Sequence, residues 1–135
     1  MILCDTGPLV ALMNRADSNS KICFEILNQL PPQFLTTWPC LTEAMYFLGK
    51  FGGFGPQDEL WGYVEQGPLS VHTPSLEERI RMRVLMKQYQ DAPMDFADAS
   101  LVTAAEVLNI TKIFTLDKHF RAYRIQDTKA FEIVP

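Results

Sequence analysis

The sequence predicts an α/β fold: a three-layer α/β/α sandwich with a central, mostly parallel sheet. Short apolar runs alternate with segments of helical spacing along the whole chain, as in repeated strand–helix–strand units. Right-handed crossovers between such strands make the sheet parallel and place helices on its faces. Because no linker, internal repeat or low-complexity tract divides the 135 residues, we expect a single domain over 1–135.

Five short apolar runs are the strand candidates, at 2–4, 34–37, 69–72, 112–115 and 131–134. They are only three or four residues long, and turn residues or helical segments separate them. Short apolar runs of this kind are typical of strands that are buried on both faces of a sheet.

Helical segments fill the intervals between these strands. Pro8 suits the first turn of a helix that runs to about Asn14. Ser18 or Ser20 is expected to cap a second helix, which the prolines at 31–32 end.

Two helices are expected between the second and third strands. Pro39 opens the first of them, and the stretch 49–56, with four glycines and a proline, separates it from the next. That second helix runs to about Gln66, where the Gly-Pro pair at 67–68 stops it.

The last two helices have recognisable starts. Ser75 is followed three residues later by Glu78, which predicts a capping box for a helix that runs to about Tyr89. Asp95 is the expected cap of the final helix, which continues to Leu108.

The composition argues against several classes of protein. No stretch approaches the roughly 20 apolar residues that span a bilayer, and the first residues lack the basic region of a signal peptide. Cys4, Cys23 and Cys40 are odd in number and form no C-x-x-C pair, which favours free thiols in the cytoplasm over a zinc site or disulfides. The net charge of −4 argues against indiscriminate binding of nucleic acid, although cations bound by carboxylates would reverse the local field.

Four acids lie near the predicted carboxyl edge of the sheet. Asp5 directly follows the first strand, and Asp117 follows the fourth by two residues. Glu43 lies one turn into the helix after the second strand, and Asp98 lies near the start of the last helix. Because ligands bind beyond the carboxyl ends of parallel strands, we expect these carboxylates to converge.

Each acid also has an ordinary alternative role. Asp5 and Asp95 are well placed as helix caps, Glu43 as a solvated helix residue, and Asp117 as a turn residue. The pattern across several strand ends is what indicates a site.

Converging carboxylates favour one kind of chemistry. They repel one another unless cations lie among them, and Mg²⁺ and Mn²⁺ prefer oxygen ligands. Such ions stabilise the negative charge that develops in phosphodiester hydrolysis and generate hydroxide near neutral pH.

Four motifs that join an acid to apolar or hydroxyl residues occur in order along nearly the whole chain. They are 5–12 (DTGPLVAL), 42–44 (TEA), 95–102 (DFADASLV) and 114–120 (FTLDKHF). In this order and at these spacings, they resemble the motifs of PIN-domain nucleases, a family that includes the VapC-type toxins.

The resemblance implies a PIN-like fold and a metal-dependent endoribonuclease that hydrolyses RNA phosphodiester bonds, with Mg²⁺ or Mn²⁺ as cofactor. Thr6 and Thr115 would support the site by hydrogen bonds. The family's toxins usually pair with a small antitoxin and often form homodimers, so the expected role is the toxin of a type II toxin–antitoxin pair. The implied catalytic and metal-binding residues are Asp5, Glu43, Asp98 and, for a second ion or its water, Asp117.

Positive charge beside the acids is expected to hold the RNA. The favoured residues follow Asp117 closely: Lys118, His119, Arg121 and Arg124. A second basic group lies at four-residue steps on one helix, where solvation is the favoured interpretation: Arg79, Arg83 and Lys87. Asp95 is an additional acid near the site without an assigned role.

Two alternatives compete with the nuclease. A haloacid-dehalogenase phosphatase also begins with a strand and an Asp, but it needs a second Asp where Gly7 stands. A non-catalytic PIN-like scaffold for RNA processing would be expected to have lost one or more acids. An aromatic partner surface is also conceivable, but core packing is the favoured use of its residues: Trp38, Phe54, Trp61 and Tyr63.

Overall fold

The computed structural model describes residues 1–135 and contains a central sheet of five parallel strands. Along the chain the strands are β1 Ile2–Cys4, β2 Phe34–Thr37, β3 Leu69–His72, β4 Lys112–Phe114, β5 Arg124–Ile125, β6 Lys129–Ala130 and β7 Glu132–Val134. The helices are α1 Thr6–Met13, α2 Ser20–Leu27, α3 Trp38–Gly52, α4 Phe54–Glu65, α5 Leu76–Gln88 and α6 Phe96–Leu108, and a 3₁₀-helix spans Lys118–Arg121.

Strand β1 lies at the centre of the sheet, whose order is β3-β2-β1-β4-β7. The chain builds outward on one side through β2 and β3 and on the other through β4 and β7, with parallel pairing throughout. The strand order therefore reverses at β1, and the crevice at such a switch point is where ligands bind in open α/β sheets.

Alternate strand residues point into two apolar cores, one on each face of the sheet. Ile2, Cys4 and Phe114 pack with helices α1 to α4. Leu3 and Ile113 face the opposite way and pack with α5 and α6. This period-two pattern gives the three layers that the sequence predicts, with four helices on one face and two on the other.

Most of the predicted elements are confirmed, with differences at helix ends. The prediction that a serine caps α2 is wrong: Asn19 holds the cap position without a side-chain hydrogen bond, and Ser20 is the first helical residue. The 49–56 break is narrower than expected, since α3 runs on to Gly52 and only Gly53, at φ 70°, separates it from α4. The side chain of Gln57 bonds to the carbonyl oxygen of Met45 at 2.9 Å and holds the two helices together at this corner.

A small antiparallel hairpin, β5 paired with β6, lies outside the main sheet and was not predicted. Gln126 and Asp127 turn its corner with positive φ values of 50° and 63°. Arg81 of α5 anchors the hairpin, because its guanidinium bonds to Glu106 at 3.0 Å and to Asp127 at 3.2 Å. None of the helices is both long and apolar enough to cross a membrane.

Candidate active site

Asp5 begins the site because the chain leaves β1 directly into α1. Its backbone is extended, at φ −80° and ψ 169°, and its side chain caps the helix by accepting from the N–H of Thr6 at 2.7 Å. The hydroxyl of Thr115, which follows β4, donates to its other carboxylate oxygen at 2.7 Å. Asp5 is therefore both the helix cap and a buried acid of the site, so the two interpretations of this residue are compatible.

Glu43 reaches the same place from the first half of α3. The hydroxyl of Thr6 donates to Oε1 of Glu43 at 2.8 Å. Thr6 thus contacts Asp5 through its backbone and Glu43 through its side chain, which fixes the two carboxylates relative to each other.

Asp98 is held at the start of α6 by a capping box with Asp95. The backbone N–H of Asp98 donates to Oδ1 of Asp95 at 2.8 Å, and the backbone N–H of Asp95 donates to Oδ2 of Asp98 at 3.3 Å. The predicted cap at Asp95 is confirmed. The buried hydroxyl of Tyr123 also donates to Oδ2 of Asp98, at 3.0 Å. Because these bonds to Asp98 use Oδ2, its Oδ1 is left free for another partner.

Asp117 lies two residues beyond Thr115, where β4 has ended. Its backbone N–H donates to the Thr115 hydroxyl at 3.0 Å, while its Oδ1 accepts from the backbone N–H of His119 at 2.9 Å. The ring Nδ1 of His119 is 2.8 Å from the same oxygen. Asp117 is thus a turn residue as well as a member of the acid group.

The structure brings these acids into one open cleft of about 510 Å³ at the carboxyl edge of the sheet. The four acids predicted from the sequence line it together with Thr6, and Thr115 supports it by donating a hydrogen bond to Asp5. The full lining is Asp5, Thr6, Gly7, Val10, Asp17, Asn19, Glu43, Phe47, Phe51, Asp95, Asp98, Leu116 and Asp117. Five carboxylates besides Asp17 therefore face the same space from four different parts of the chain.

Crowding and burial change the acidity of two of these groups. Burial raises the pKa of Asp5 from 3.8 to about 6; the charges of Asp117 and Glu43 add to the rise, and the hydrogen bonds from Thr115 and Thr6 oppose it. Burial also raises the pKa of Asp98 to about 7 with help from Asp95 and Asp5, against the hydrogen bond from Tyr123. The charged form of each acid is costly without a nearby cation.

The residues of the cleft fit a hard divalent cation in donor type. The polar side chains that line it are carboxylates, the hydroxyl of Thr6 and the amide of Asn19, and all of them offer the oxygen ligands that Mg²⁺ and Mn²⁺ prefer. The raised pKa values of Asp5 and Asp98 show a cost that a cation would relieve. In their present side-chain conformations, however, no three His, Cys, Asp or Glu residues are close enough together to hold a metal ion. Binding would require side-chain rotations that bring further carboxylates toward the free oxygen of Asp98.

The predicted RNA-binding cations lie beside the cleft without lining it. Lys118, His119 and Arg121 are exposed on the 3₁₀-helix that starts directly after Asp117. Arg124 directs Nη1 to the carbonyl oxygens of Arg121 and Tyr123, at 2.8 and 2.9 Å. Their contact with RNA stays a prediction.

The basic face of α5 lies outside the cleft, and its members are all exposed: Arg79, Arg83 and Lys87.

The prediction of core packing for the aromatic group is wrong for Trp38, Phe54 and Trp61, which are 43%, 69% and 40% exposed. The apolar pattern of a helix shows which residues favour burial, but it does not show whether another element packs on that side of the helix.

Sequence reasoning missed several residues of the site, among them Tyr123, Phe47 and Phe51. Tyr123 lies 25 residues from Asp98 and meets it only because the chain returns past the 3₁₀-helix. Phe47 and Phe51 line the cleft although they occupy apolar positions of a helix. Their spacing from Glu43, four and eight residues, was the available signal, since it places all three on one helix face.

Solved structures share this fold over most of their length. VapC20 from Mycobacterium tuberculosis, a Sarcin-Ricin loop cleaving toxin, superposes with a TM-score of 0.80 at 16% identity, covering 87% of this chain and 90% of its own. This chain therefore has the same fold as that protein. A toxin–antitoxin complex from Klebsiella pneumoniae contains a chain that matches with a TM-score of 0.68 at 19% identity, covering 89% of this chain and 90% of that one.

A third structure, VapBC2 from Rickettsia felis bound to a DNA fragment from its promoter, matches over the full length of both chains with a TM-score of 0.70 at 17% identity. No family model matches the sequence, and no curated protein matches it in sequence. The predicted PIN-like α/β/α architecture is confirmed by these structures.

Proposed function

We propose that this protein is a Mg²⁺- or Mn²⁺-dependent endoribonuclease and the toxin of a type II toxin–antitoxin pair. The observation that carries the proposal is the convergence of Asp5, Glu43, Asp98 and Asp117 in one cleft at the switch point of the sheet. The fold supports it, since VapC20 is a toxin that cleaves the Sarcin-Ricin loop.

The residues of the cleft would divide the work. Asp5, Glu43 and Asp98 would hold a divalent cation, and Asp117 would hold a second one or orient a water molecule. A cation bound there supplies hydroxide near neutral pH and stabilises the additional charge on the phosphate. Thr6 and Thr115 keep the carboxylate of Asp5 oriented, because each donates a hydrogen bond to one of its oxygens.

The exposed cations next to the cleft would hold the RNA backbone. Lys118 and His119 are exposed directly after Asp117, where they can approach a phosphate that lies at the acids. Arg121 and Arg124 extend the same basic surface.

The decisive experiment is RNA cleavage by the purified protein with Mg²⁺, with Mn²⁺ and with chelator. Asp98→Asn and Asp5→Asn keep the size of the side chain and remove a charged ligand, so we expect either change to abolish metal-dependent cleavage. Asp91→Asn is a matched control, because Asp91 is exposed in a turn outside the cleft. Cleavage that persists unchanged in both cleft variants would refute the proposal.

A non-catalytic RNA-binding scaffold is the second candidate. The observation in its favour is that no three acids are close enough to hold a metal ion as placed. Isothermal titration with Mn²⁺ separates the two candidates: a nuclease binds the ion through Asp98, so binding weakens in Asp98→Asn, whereas a scaffold binds none at millimolar concentration.

The proposed partners follow from the same comparison. VapBC2 and the Klebsiella pneumoniae structure are toxin–antitoxin complexes, so we propose that a small antitoxin encoded beside this protein binds it in the cytoplasm. Co-expression of that neighbouring reading frame should relieve the growth arrest that the toxin causes, and its product should co-purify with the protein. Sedimentation of the protein alone and with its partner tests the proposed homodimer.

A further inference from the structure

One face of α3 carries a line of three side chains that leads away from the acids. Glu43, Phe47 and Phe51 are four residues apart, so they lie above one another on the helix surface. With a rise of 1.5 Å per residue, the backbone positions of Phe47 and Phe51 lie about 6 Å and about 12 Å along the helix axis from Glu43. Both phenylalanines line the same cleft as the acids.

These two rings are not needed to pack the core. The residues that α3 buries are Cys40, Leu41, Ala44 and Leu48, and neither phenylalanine belongs to or packs against the two core clusters. Phe47 is 41% exposed and Phe51 is 67% exposed. Exposed aromatic rings that line the wall of a cleft are typical of a binding surface.

The cleft has no positive charge of its own. None of the residues that line it is Lys, Arg or His, while it contains several carboxylates, and the whole chain has a net charge of −4. Apart from the proposed cation, no group that lines the cleft attracts phosphate, so RNA beyond the cleaved bond would need a non-ionic contact there. Nucleobases provide one, because every base has a flat face that stacks on an aromatic ring without regard to sequence.

We propose that Phe47 and Phe51 form a stacking platform for unpaired nucleobases next to the bond that is cleaved. The inference rests on the proposed nuclease function and assigns two further residues that contact its substrate. RNA that is single-stranded or looped at the cleavage point can turn its bases onto the rings, whereas bases within a duplex are already stacked and paired. The platform selects unpaired RNA by shape rather than by sequence.

RNA is a better match for this surface than a protein partner. The line of rings starts at Glu43, one of the proposed metal ligands, and stays within the acid cleft. An RNA strand whose phosphate lies at the acids must extend along one of the cleft's walls, and the α3 wall is the aromatic one.

The test uses proteins that all carry Asp98→Asn, so that the RNA is bound without being cleaved. Binding of a short fluorescent single-stranded RNA is measured by anisotropy in Mg²⁺ for Phe47→Ala, Phe51→Ala and Phe51→Trp. Phe54→Ala is the matched control, because Phe54 is 69% exposed on the neighbouring helix and does not line the cleft. A hairpin-free duplex of the same sequence is the control substrate.

We expect each alanine change to weaken binding of the single strand by about 5- to 150-fold, the range for loss of one stacked base. Phe51→Trp should retain binding, Phe54→Ala should leave it unchanged, and the duplex should bind weakly to every variant. In proteins with Asp98 intact, the alanine changes should raise KM for single-stranded RNA more than they lower kcat.

The outcomes separate this inference from the proposed function. If the parent protein cleaves RNA while Phe47→Ala and Phe51→Ala bind as tightly as the parent, the platform is refuted and the nuclease stands. If those variants bind RNA normally but lose a co-purified antitoxin, the rings belong to a protein interface and the inference is again overturned. If the parent neither binds nor cleaves RNA, the function itself fails and the platform fails with it.

Discussion

Replacement of Asp5 by Asn tests the electrostatic account of the cleft directly. The residue is 7% exposed, and its carboxyl group lies among other acids. Burial raises its pKa from 3.8 to about 6, so the folded protein binds this proton more tightly than the unfolded chain does. The stability that this gives is fully present below about pH 4 and is lost as the pH rises to about 6.

The magnitude follows from the same difference. Each pKa unit corresponds to about 1.4 kcal/mol, so at pH 8 the charged Asp5 costs the metal-free protein about 3 kcal/mol. Asn removes the charge but leaves one acceptor oxygen for the donors at Thr6 and Thr115, a loss of about 1 kcal/mol. We expect Asp5→Asn to be about 2 kcal/mol more stable than the parent at pH 8 and no more stable at pH 4.

Urea unfolding in the presence of chelator measures this effect, with the fluorescence of Trp38 and Trp61 as the signal. Asp91→Asn serves as the control, since Asp91 is exposed and outside the cleft. Added Mn²⁺ should stabilise the parent at pH 8 and have little effect on Asp5→Asn. If Asp5→Asn is less stable than the parent at pH 8, or if the difference does not depend on pH, the cleft is not a site of electrostatic strain.

Three further changes probe other contacts. Tyr123→Phe removes the hydroxyl that orients Asp98 and should weaken Mn²⁺ binding by about 10-fold in calorimetric titration, whereas Tyr89→Phe, on the ring packed against Tyr123 at 5.2 Å, should not. Arg81→Met leaves the nearly buried carboxylate of Glu106 in α6 without its ion-pair partner. This change should lower the free energy of unfolding by about 1–3 kcal/mol without changing RNA cleavage; a change in cleavage rate would contradict this. Gly62→Ala, at an open position inside α4, should stabilise the protein by about 0.5–1 kcal/mol in urea unfolding, and destabilisation would show an unrecognised contact there.

The framework of this fold could be predicted because local patterns and global topology agree. Strands β2 and β3 were predicted with the bounds that the structure shows, since their apolar runs are flanked by turn residues. The capping box of Ser75 with Glu78 and the cap at Asp95 were predicted from the residue types at the helix starts, and both are confirmed. Convergence of the acids followed from the rule that parallel strands end at one edge.

The remaining features depend on contacts that no local pattern encodes. The strands of the β5–β6 hairpin are two residues long, too short for a periodicity to be visible. The hydrogen bond from Tyr123 to Asp98 joins residues 25 positions apart. Phe47 and Phe51 are apolar yet exposed, and sequence spacing alone cannot distinguish a helix face that meets the core from one that meets a cleft.

The central position of β1 also determines when the cleft can exist during synthesis. The bond from Thr115 to Asp5 joins residues 110 positions apart, and β1 acquires its second neighbour only when β4 is available. A ribosome must therefore release most of the chain before the carboxylates can assemble, because contacts of such long sequence separation form only after the intervening segments exist. The four carboxylates therefore meet only after residues 1–117 have all left the ribosome, and no shorter nascent chain contains the cleft.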